Sequence, residues 1–449
     1  MNETSTSKFP FGRNFYFIQF SAIFNSLASR CMHLALAWWV LSVTNDAAAF
    51  AAFAVFVAVG SAADILARGL FGSLGDTYDK QRLITICYLM SFISAILITL
   101  LATMDLYLPI VLFICQILAG LAVGIREPLQ NSIIPSQVTK DQLSQAIQWR
   151  SAAITIVTFC SPIIGTGLIS IIGAQNTLWF GVGLIVFSII LLRWVKQSDS
   201  SLMQEQIPKR PKWYSGFSAI SRLPPEISLI KITFFMNLGL FPFLGVVLPA
   251  YFYQNYSKSP WLFGIADTFF AIGMFIGATK IGAMSNAHFG RATTTYSGYL
   301  GLGLGIFMTA LMCQVLTIFN LGYFVLLCFG MCLAGCGLMV AVTNTSFMRS
   351  AASPNNFLNR ISASSTFGTG IASPLGVVVA GIFMSYLGLY TTMIVLSLII
   401  VSASVLSFFS SNLRQVLALP EDEIHGAYAR FYPRAFTKDE QITMNEDTV

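Results

Sequence analysis

The sequence predicts an all-α membrane protein of about twelve transmembrane helices arranged as two six-helix pseudo-repeats. Three observations lead there. Hydrophobic residues make up 55% of the 449 positions and charged residues 10%, where an ordinary soluble domain carries about a quarter charged. The apolar residues gather in runs of about 20, the length of helix that crosses a bilayer. Finally, two unrelated local features recur at nearly one offset. The charged hinge around Lys80 has a weaker copy at Ala283–Arg291, and Ser161-Pro162-Ile163-Ile164-Gly165 returns as Ser373-Pro374-Leu375-Gly376. A shared offset means that the chain is two similar halves.

In chain order the runs predict helices over 15–43, 47–71, 83–104, 108–127, 144–171, 177–195, 229–253, 261–282, 293–317, 321–347, 359–386 and 390–412. The first run is too long for a cleavable signal peptide and is interrupted by Asn25, Arg30 and His33, so it reads as an uncleaved first span. Lys80 and Arg82, Lys140, Lys196 with Lys209, Arg210 and Lys212, Arg291, Arg349 and the tail all fall on one side of the predicted spans. The other side carries Asp46, Asp105 and the cation Lys258. By the positive-inside rule both termini and the middle connection are expected in the cytoplasm. That connection, 196–228, holds Pro208, Pro211, Pro224 and Pro225, which are expected to block a continuous helix. It divides an N-terminal bundle, 1–195, from a C-terminal bundle, 229–412, and its basic run suits contact with anionic lipid. A tail of mixed charge, 413–449, follows, with no role legible in it.

Several function classes are disfavoured. The net charge of +6 comes from cations between apolar runs and in the tails, with no basic face interleaved with aromatics, which argues against a nucleic-acid partner. His33, His288 and His425 fall in separate regions, and no Gly-x-x-x-x-Gly-Lys-Ser/Thr loop occurs, so neither an enzyme constellation nor ATP drive is expected. All eight cysteines lie within apolar runs. Cys328, Cys332 and Cys336 recur every four residues without His or carboxylate beside them, a pattern of close helix packing rather than of a metal site. No metal and no cofactor is expected.

Charged residues inside the spans each need a reason, since placing one in hydrocarbon is unfavourable by a few kcal/mol. Arg30, with Asn25, Ser29 and His33, forms a polar stripe near the middle of the first helix. Such a stripe either lines a substrate cavity or forms a buried cluster that fixes packing. Asp64 and Arg68 are four apart on the second helix, the spacing of an ion pair, here near the cytoplasmic gate, or of a proton-sensitive switch. Asp267 has no partner nearby in sequence and is a candidate proton carrier, unless it sits at the outer water boundary. Glu127 is a further proton-coupling candidate, and beside Arg126 it reads as half of an interfacial pair.

The hinge Gly72-x-x-x-Asp76-x-x-Asp79-Lys80-x-Arg82 resembles the loop between helices two and three of major facilitator superfamily transporters. With Pro128-x-x-Asn131-x-x-x-Pro135, Ser161-Pro162-x-x-Gly165 and Asn359-Arg360 before Ser373-Pro374, nearly the whole chain resembles the macrolide-efflux and enterobactin-exporter branch. The resemblance implies the major facilitator fold, in a multi-pass protein of the plasma membrane, the inner membrane in bacteria. It implies alternating access to a central cavity and export of amphiphilic small molecules, drug or siderophore, in exchange for protons. The protein is expected to act as a monomer among membrane lipids. It further implies a conformational gate at Gly72, Asp76, Asp79, Lys80, Arg82 and Arg291. Helix bends are implied at Pro162 and Pro374, with Gly165, Gly167 and Gly376 allowing close packing against the opposite half. One departure is plain. Where proton-coupled relatives place an arginine inside helix four, this chain reads Phe113-Ile114-Cys115-Gln116, leaving Arg126 and Glu127 at the helix's inner end. Import of a small polar or anionic nutrient or siderophore, with Arg30 and His33 as anion ligands, is the competing reading.

Overall fold

An apolar run in hydrocarbon must satisfy its backbone internally, and a helix does so within one segment. The computed structural model describes residues 11–44, 47–71, 78–139, 142–195, 215–316 and 319–436; among them the runs are helices and no strand occurs. The first helices are α1 (Arg13–Thr44), α2 (Ala47–Phe71), α3 (Lys80–Thr103) and α4 (Pro109–Ser132). Next comes a single run, Leu143–Arg193, which Gly173 divides into α5 (143–172) and α6 (174–193). Then come α7 (Pro224–Tyr256), α8 (Trp261–Phe289), α9 (Arg291–Val315) and α10 (Leu321–Ala352). The last two are α11 (Asn355–Gly370 continued by Ala372–Leu387) and α12 (Leu389–Ser407). Nine helical runs among the described residues are long and apolar enough to cross a membrane, one of them containing both α5 and α6.

Local chemistry explains the joints. Gly173 (φ 83°, ψ 166°) and Gly388 (φ 79°, ψ 166°) take nearly the same left-handed conformation between α5 and α6 and between α11 and α12. A side chain would strain either. The Asp79 side chain caps α3 by accepting the Arg82 backbone N–H at 2.8 Å. Pro224 and Pro225, expected to block a continuous helix through the connection, follow a break at 221–223 and open α7: the first turn has no intrahelical N–H bonds to lose, so proline is tolerated there. Pro162 stays inside its helix, whereas α11 is interrupted at Ile371, just before Pro374.

The chain forms two compact units, Met1–Ile207 with Phe252–Thr268, and Pro208–Tyr251 with Phe269–Val449. In the first, α1 packs along the α5–α6 run and α2 along α4; in the second, α9 packs on α10 and α12, and α7 on α11 and α12. The motif glycines serve these internal contacts. A Cβ at Gly165 would meet Leu34 and Cys31 of α1, and one at Gly376 would lie 2.3 Å from the Leu238 carbonyl of α7, while Gly167 faces open space. On α10 the cysteines mark another close contact: Cβ atoms at Gly273 and Gly277 of α8 would strike the Cys332 and Cys336 carbonyls at 1.9 and 2.4 Å.

The tail's fold is unexpected. Short helices Ser411–Leu417, Glu421–Ile424 and Ala427–Phe431 bury Leu413, Val416, Leu417, Ile424, Ala427 and Tyr428 completely. Tyr428 donates its phenol to Glu226 at the start of α7 at 2.9 Å. Glu226 is itself fully buried and takes a bidentate fork from Arg349 of α10, 3.0–3.2 Å, whose guanidinium also reaches Ser365 of α11 at 2.7 Å. Arg349 is therefore more than the cytoplasmic charge marker it was read as, since it neutralises a buried carboxylate. Burial, then the Glu226 carboxylate, pushes the Tyr428 phenol well above its ordinary pKa, so it remains a donor at neutral pH. Tyr428→Phe should lower stability by about 1–3 kcal/mol, the range for losing a hydrogen bond to a charged group. Thermal unfolding in detergent, with limited proteolysis of the tail, checks this; an unchanged midpoint would show that the phenol contributes nothing.

Candidate functional site

Asn25, Ser29, Arg30 and His33 repeat at helical spacing, so α1 carries them on one stripe. Two cavities of about 280 and 290 Å³ lie within the first unit, and Ser29, Arg30 and Val123 line both. Arg30 and His33 are exposed, with the Arg30 Nη2 donating to Thr158 of α5 at 3.4 Å. Asn25 is buried, and its Nδ2 has no hydrogen-bond partner among the described residues. The second cavity also takes in His33, Asp64 and Gln116, so one space gathers the α1 stripe and the α2 carboxylate.

What brings α2 and α4 together is the absence of side chains. A Cβ at Gly120 would lie 2.2 Å from the Gly60 carbonyl, and one at Gly124 2.3 Å from the Asp64 carbonyl. One turn beyond this contact the charges meet. Arg68 donates Nε to Asp64 Oδ1 at 2.8 Å and Nη2 to Asp64 Oδ2 at 3.1 Å, while Nη2 also reaches Glu127 Oε2 at 2.7 Å. The Asp64–Arg68 pair follows the expected i, i+4 spacing. Glu127 does not pair with Arg126: its carboxylate joins Arg68, because successive residues on a helix point in different directions.

The first cavity is lined by Gln19, Arg30, Arg126, Glu127, Asn131 and Arg150, among others. Arg150 donates Nε to Asn131 Oδ1 at 3.1 Å and Nη1 to Gln19 Oε1 at 2.8 Å. Gln130 donates to the Tyr88 hydroxyl at 3.1 Å, and the Arg126 guanidinium carbon sits 5.9 Å from that ring's centre. Arg150 and Gln19 were missed in the sequence, although Arg150 falls inside the run read as 144–171; any Arg within a predicted span is a signal.

The other predicted residues lie apart from these cavities. Gly72 and Asp76 fall outside the described residues. Asp79 caps α3, Lys80 donates to the Ser132 carbonyl at the end of α4 at 2.9 Å, and Arg82 is exposed. Arg291 stacks 4.0 Å over the Phe347 ring. Asp267 is half-buried in the Phe252–Thr268 segment, where the charge of Arg30 attracts it. Pro162 is met by that same segment: a Cβ at Gly264 would lie 2.8 Å from its carbonyl. Pro374 and Gly376 sit on α11 facing no described cavity.

Ionisable side chains kept around cavities of an all-helical membrane protein mark a substrate or ion pathway. The chain belongs to the major facilitator superfamily, whose family model matches residues 18–245. Over 209 residues it is 26% identical to the staphyloferrin A transporter of Staphylococcus aureus (strain NCTC 8325 / PS 47), covering 46% of this chain and 51% of that protein. It thus spans about half the length of the curated relative it matches. Among solved structures it resembles a bacterial homologue of the iron transporter ferroportin in an inward-facing state (15% identity, 89% of this chain and 99% of that one, TM-score 0.69). It also resembles a D-xylose-proton symporter (13% identity, 91% and 99%, TM-score 0.68). At these identities the two structures establish the fold alone.

Arg68 neutralises two carboxylates, so its loss should destabilise more than the loss of either acid. Arg68→Met leaves Asp64 and Glu127 facing one another and should cost about 1–3 kcal/mol. Asp64→Asn or Glu127→Gln should each cost about 1 kcal/mol or less, since all three groups are partly exposed. Thermal unfolding of the three variants in one detergent orders them; a ranking with Arg68→Met least affected would refute the shared-cation arrangement.

Proposed function

We propose that the protein is a secondary active transporter that exports amphiphilic small molecules, drug or siderophore, by alternating access driven by the proton gradient. In this reading it sits in a bacterial inner membrane with both termini in the cytoplasm, and its halves are the bundles 1–195 and 229–412 with the linker 196–228 between them. The observation that carries it is the α1 stripe: Arg30 and His33, near the middle of a span, are exposed and line internal cavities. A packing role would have buried them against protein partners. The distant siderophore-transporting relative supports the same reading.

Asp267 is the proton carrier we favour. Asp64 and Glu127 are both engaged by Arg68, whereas no hydrogen bond from the Asp267 side chain occurs among the described residues and Arg30 attracts it without direct contact. A carboxylate held by distance alone can exchange its proton at little structural cost. The hinge carboxylate Asp76 is assigned to conformational switching, together with Gly72, Asp79, Lys80, Arg82 and Arg291. Uptake of a small polar or anionic nutrient, with Arg30 and His33 as ligands, is the second reading, supported by the excess of guanidinium groups around the cavities. Net flux in oriented vesicles under an imposed pH gradient decides direction.

Two outcomes test the assignment. Asp267→Asn should abolish the dependence of flux on the pH gradient while downhill exchange continues; gradient-driven flux equal to wild type would remove Asp267 from coupling. Arg30→Ala should weaken anionic substrates by about 1–3 kcal/mol, the range for a charge-assisted hydrogen bond, with neutral ones much less affected and Arg30→Lys rescuing in part. Equal transport of anionic and neutral compounds by a well-folded Arg30→Ala protein would leave only a packing role for that residue.

A further inference from the structure

We propose that Arg126 of α4 and Arg150 of α5 form a carboxylate-binding subsite, so that the transported molecule carries at least one carboxylate. The inference rests on the transporter reading and names the chemistry of its substrate.

Burial makes the case. Arg126 is 3% exposed and Arg150 7%, and a guanidinium withdrawn from water needs a counter-charge or a full set of acceptors. Neither has a carboxylate within ion-pair distance among the described residues; Glu127 acts on Arg150, and Asp64 on Arg126, only from farther off and while held by Arg68. The acceptors of Arg150 are the side-chain amide oxygens of Asn131 and Gln19, which orient its plane and carry no charge. The Nε of Arg126 is buried with no acceptor among the described residues, and Tyr88, whose ring it faces, already has its hydroxyl taken by Gln130. Glu127 is the single carboxylate lining this cavity, and its Oε2 is bonded to Arg68, which Asp64 shares. The second unit shows a structural arginine for contrast: Arg349, itself only partly buried, is matched to the fully buried Glu226 in a bidentate fork. Arg126 and Arg150 instead border a space of about 280 Å³. That volume admits a small polycarboxylic acid, or the acidic arm of a larger amphiphile, and a carboxylate is the group whose two oxygens match the planar guanidinium fork.

The test uses the purified full chain in neutral detergent, with tricarballylate as probe and titration calorimetry at fixed ionic strength. Tricarballylate should bind and its trimethyl ester should not, and sulfate at the same concentration should bind more weakly. Arg126→Gln and Arg150→Gln should each weaken tricarballylate about ten-fold or more, with Arg150→Lys intermediate. Four results would overturn the subsite: no binding by the wild type, equal binding of acid and ester, equal binding of sulfate, or wild-type affinity in folded Gln variants. If the variants fail to fold, the acid–ester contrast on the wild type decides. Binding is read without any gradient, so its failure leaves the transporter reading standing. Conversely, absent flux in vesicles with tricarballylate binding intact fails that reading alone.

Discussion

Hydrocarbon cannot solvate a guanidinium, and among the arginines on the first unit's helices Arg30, Arg68, Arg126 and Arg150 sit at its cavities or its α2–α4 contact. Each is handled differently. Arg68 is neutralised by carboxylates from two helices, Arg150 is held by neutral amides, Arg126 lies buried against an aromatic ring, and Arg30 faces open space. The gradation runs from a structural charge to an available one. A bundle selected for stability alone would replace such groups with apolar ones, which pack at no desolvation penalty. Keeping them implies that their charge is used.

The α2–α4 contact makes this arrangement possible. Two glycines four residues apart let the backbones touch at Gly60 and Asp64, and one turn beyond Arg68 meets Glu127 while reaching back to Asp64. The second unit solves its own buried-charge problem with a sequence-distant set: Glu226 at the start of α7, Arg349 at the end of α10, Ser365 on α11 and Tyr428 in the tail. These four residues join three helices to a segment beyond the last of them. The tail is thereby part of the second unit's packing, and its apolar residues, spread singly among polar ones, fill spaces at the helix ends.

The two units also share a joint. Gly173 and Gly388 adopt matching dihedrals between the fifth and sixth and the eleventh and twelfth helices, positions the repeated Ser-Pro motifs precede by similar distances. A repeat seen as two short motifs in the sequence is thus repeated in backbone geometry. Charge is not repeated with it: among the described residues of the second unit no cation is shared by two carboxylates, and the buried acid Glu226 takes Arg349 and a phenol.

Length and spacing of apolar runs determined the helical membrane fold, because in a bilayer the backbone has no alternative to local hydrogen bonding. The Asp64–Arg68 pair was equally legible, being set by helical periodicity alone, and so was the polar stripe of Asn25, Ser29, Arg30 and His33. What only the tertiary structure decided is every contact between helices. Nothing in the local sequence says that Glu127 turns to Arg68 instead of its neighbour Arg126, that Gly376 serves α7, or that Glu226 receives both Arg349 and Tyr428. Those pairings depend on which faces meet and how closely, and a few missing Cβ atoms set that distance. Pro224 and Pro225 show the limit of a local signal: the sequence says that no helix runs through them from the connection, and only the fold shows that they do this by starting α7.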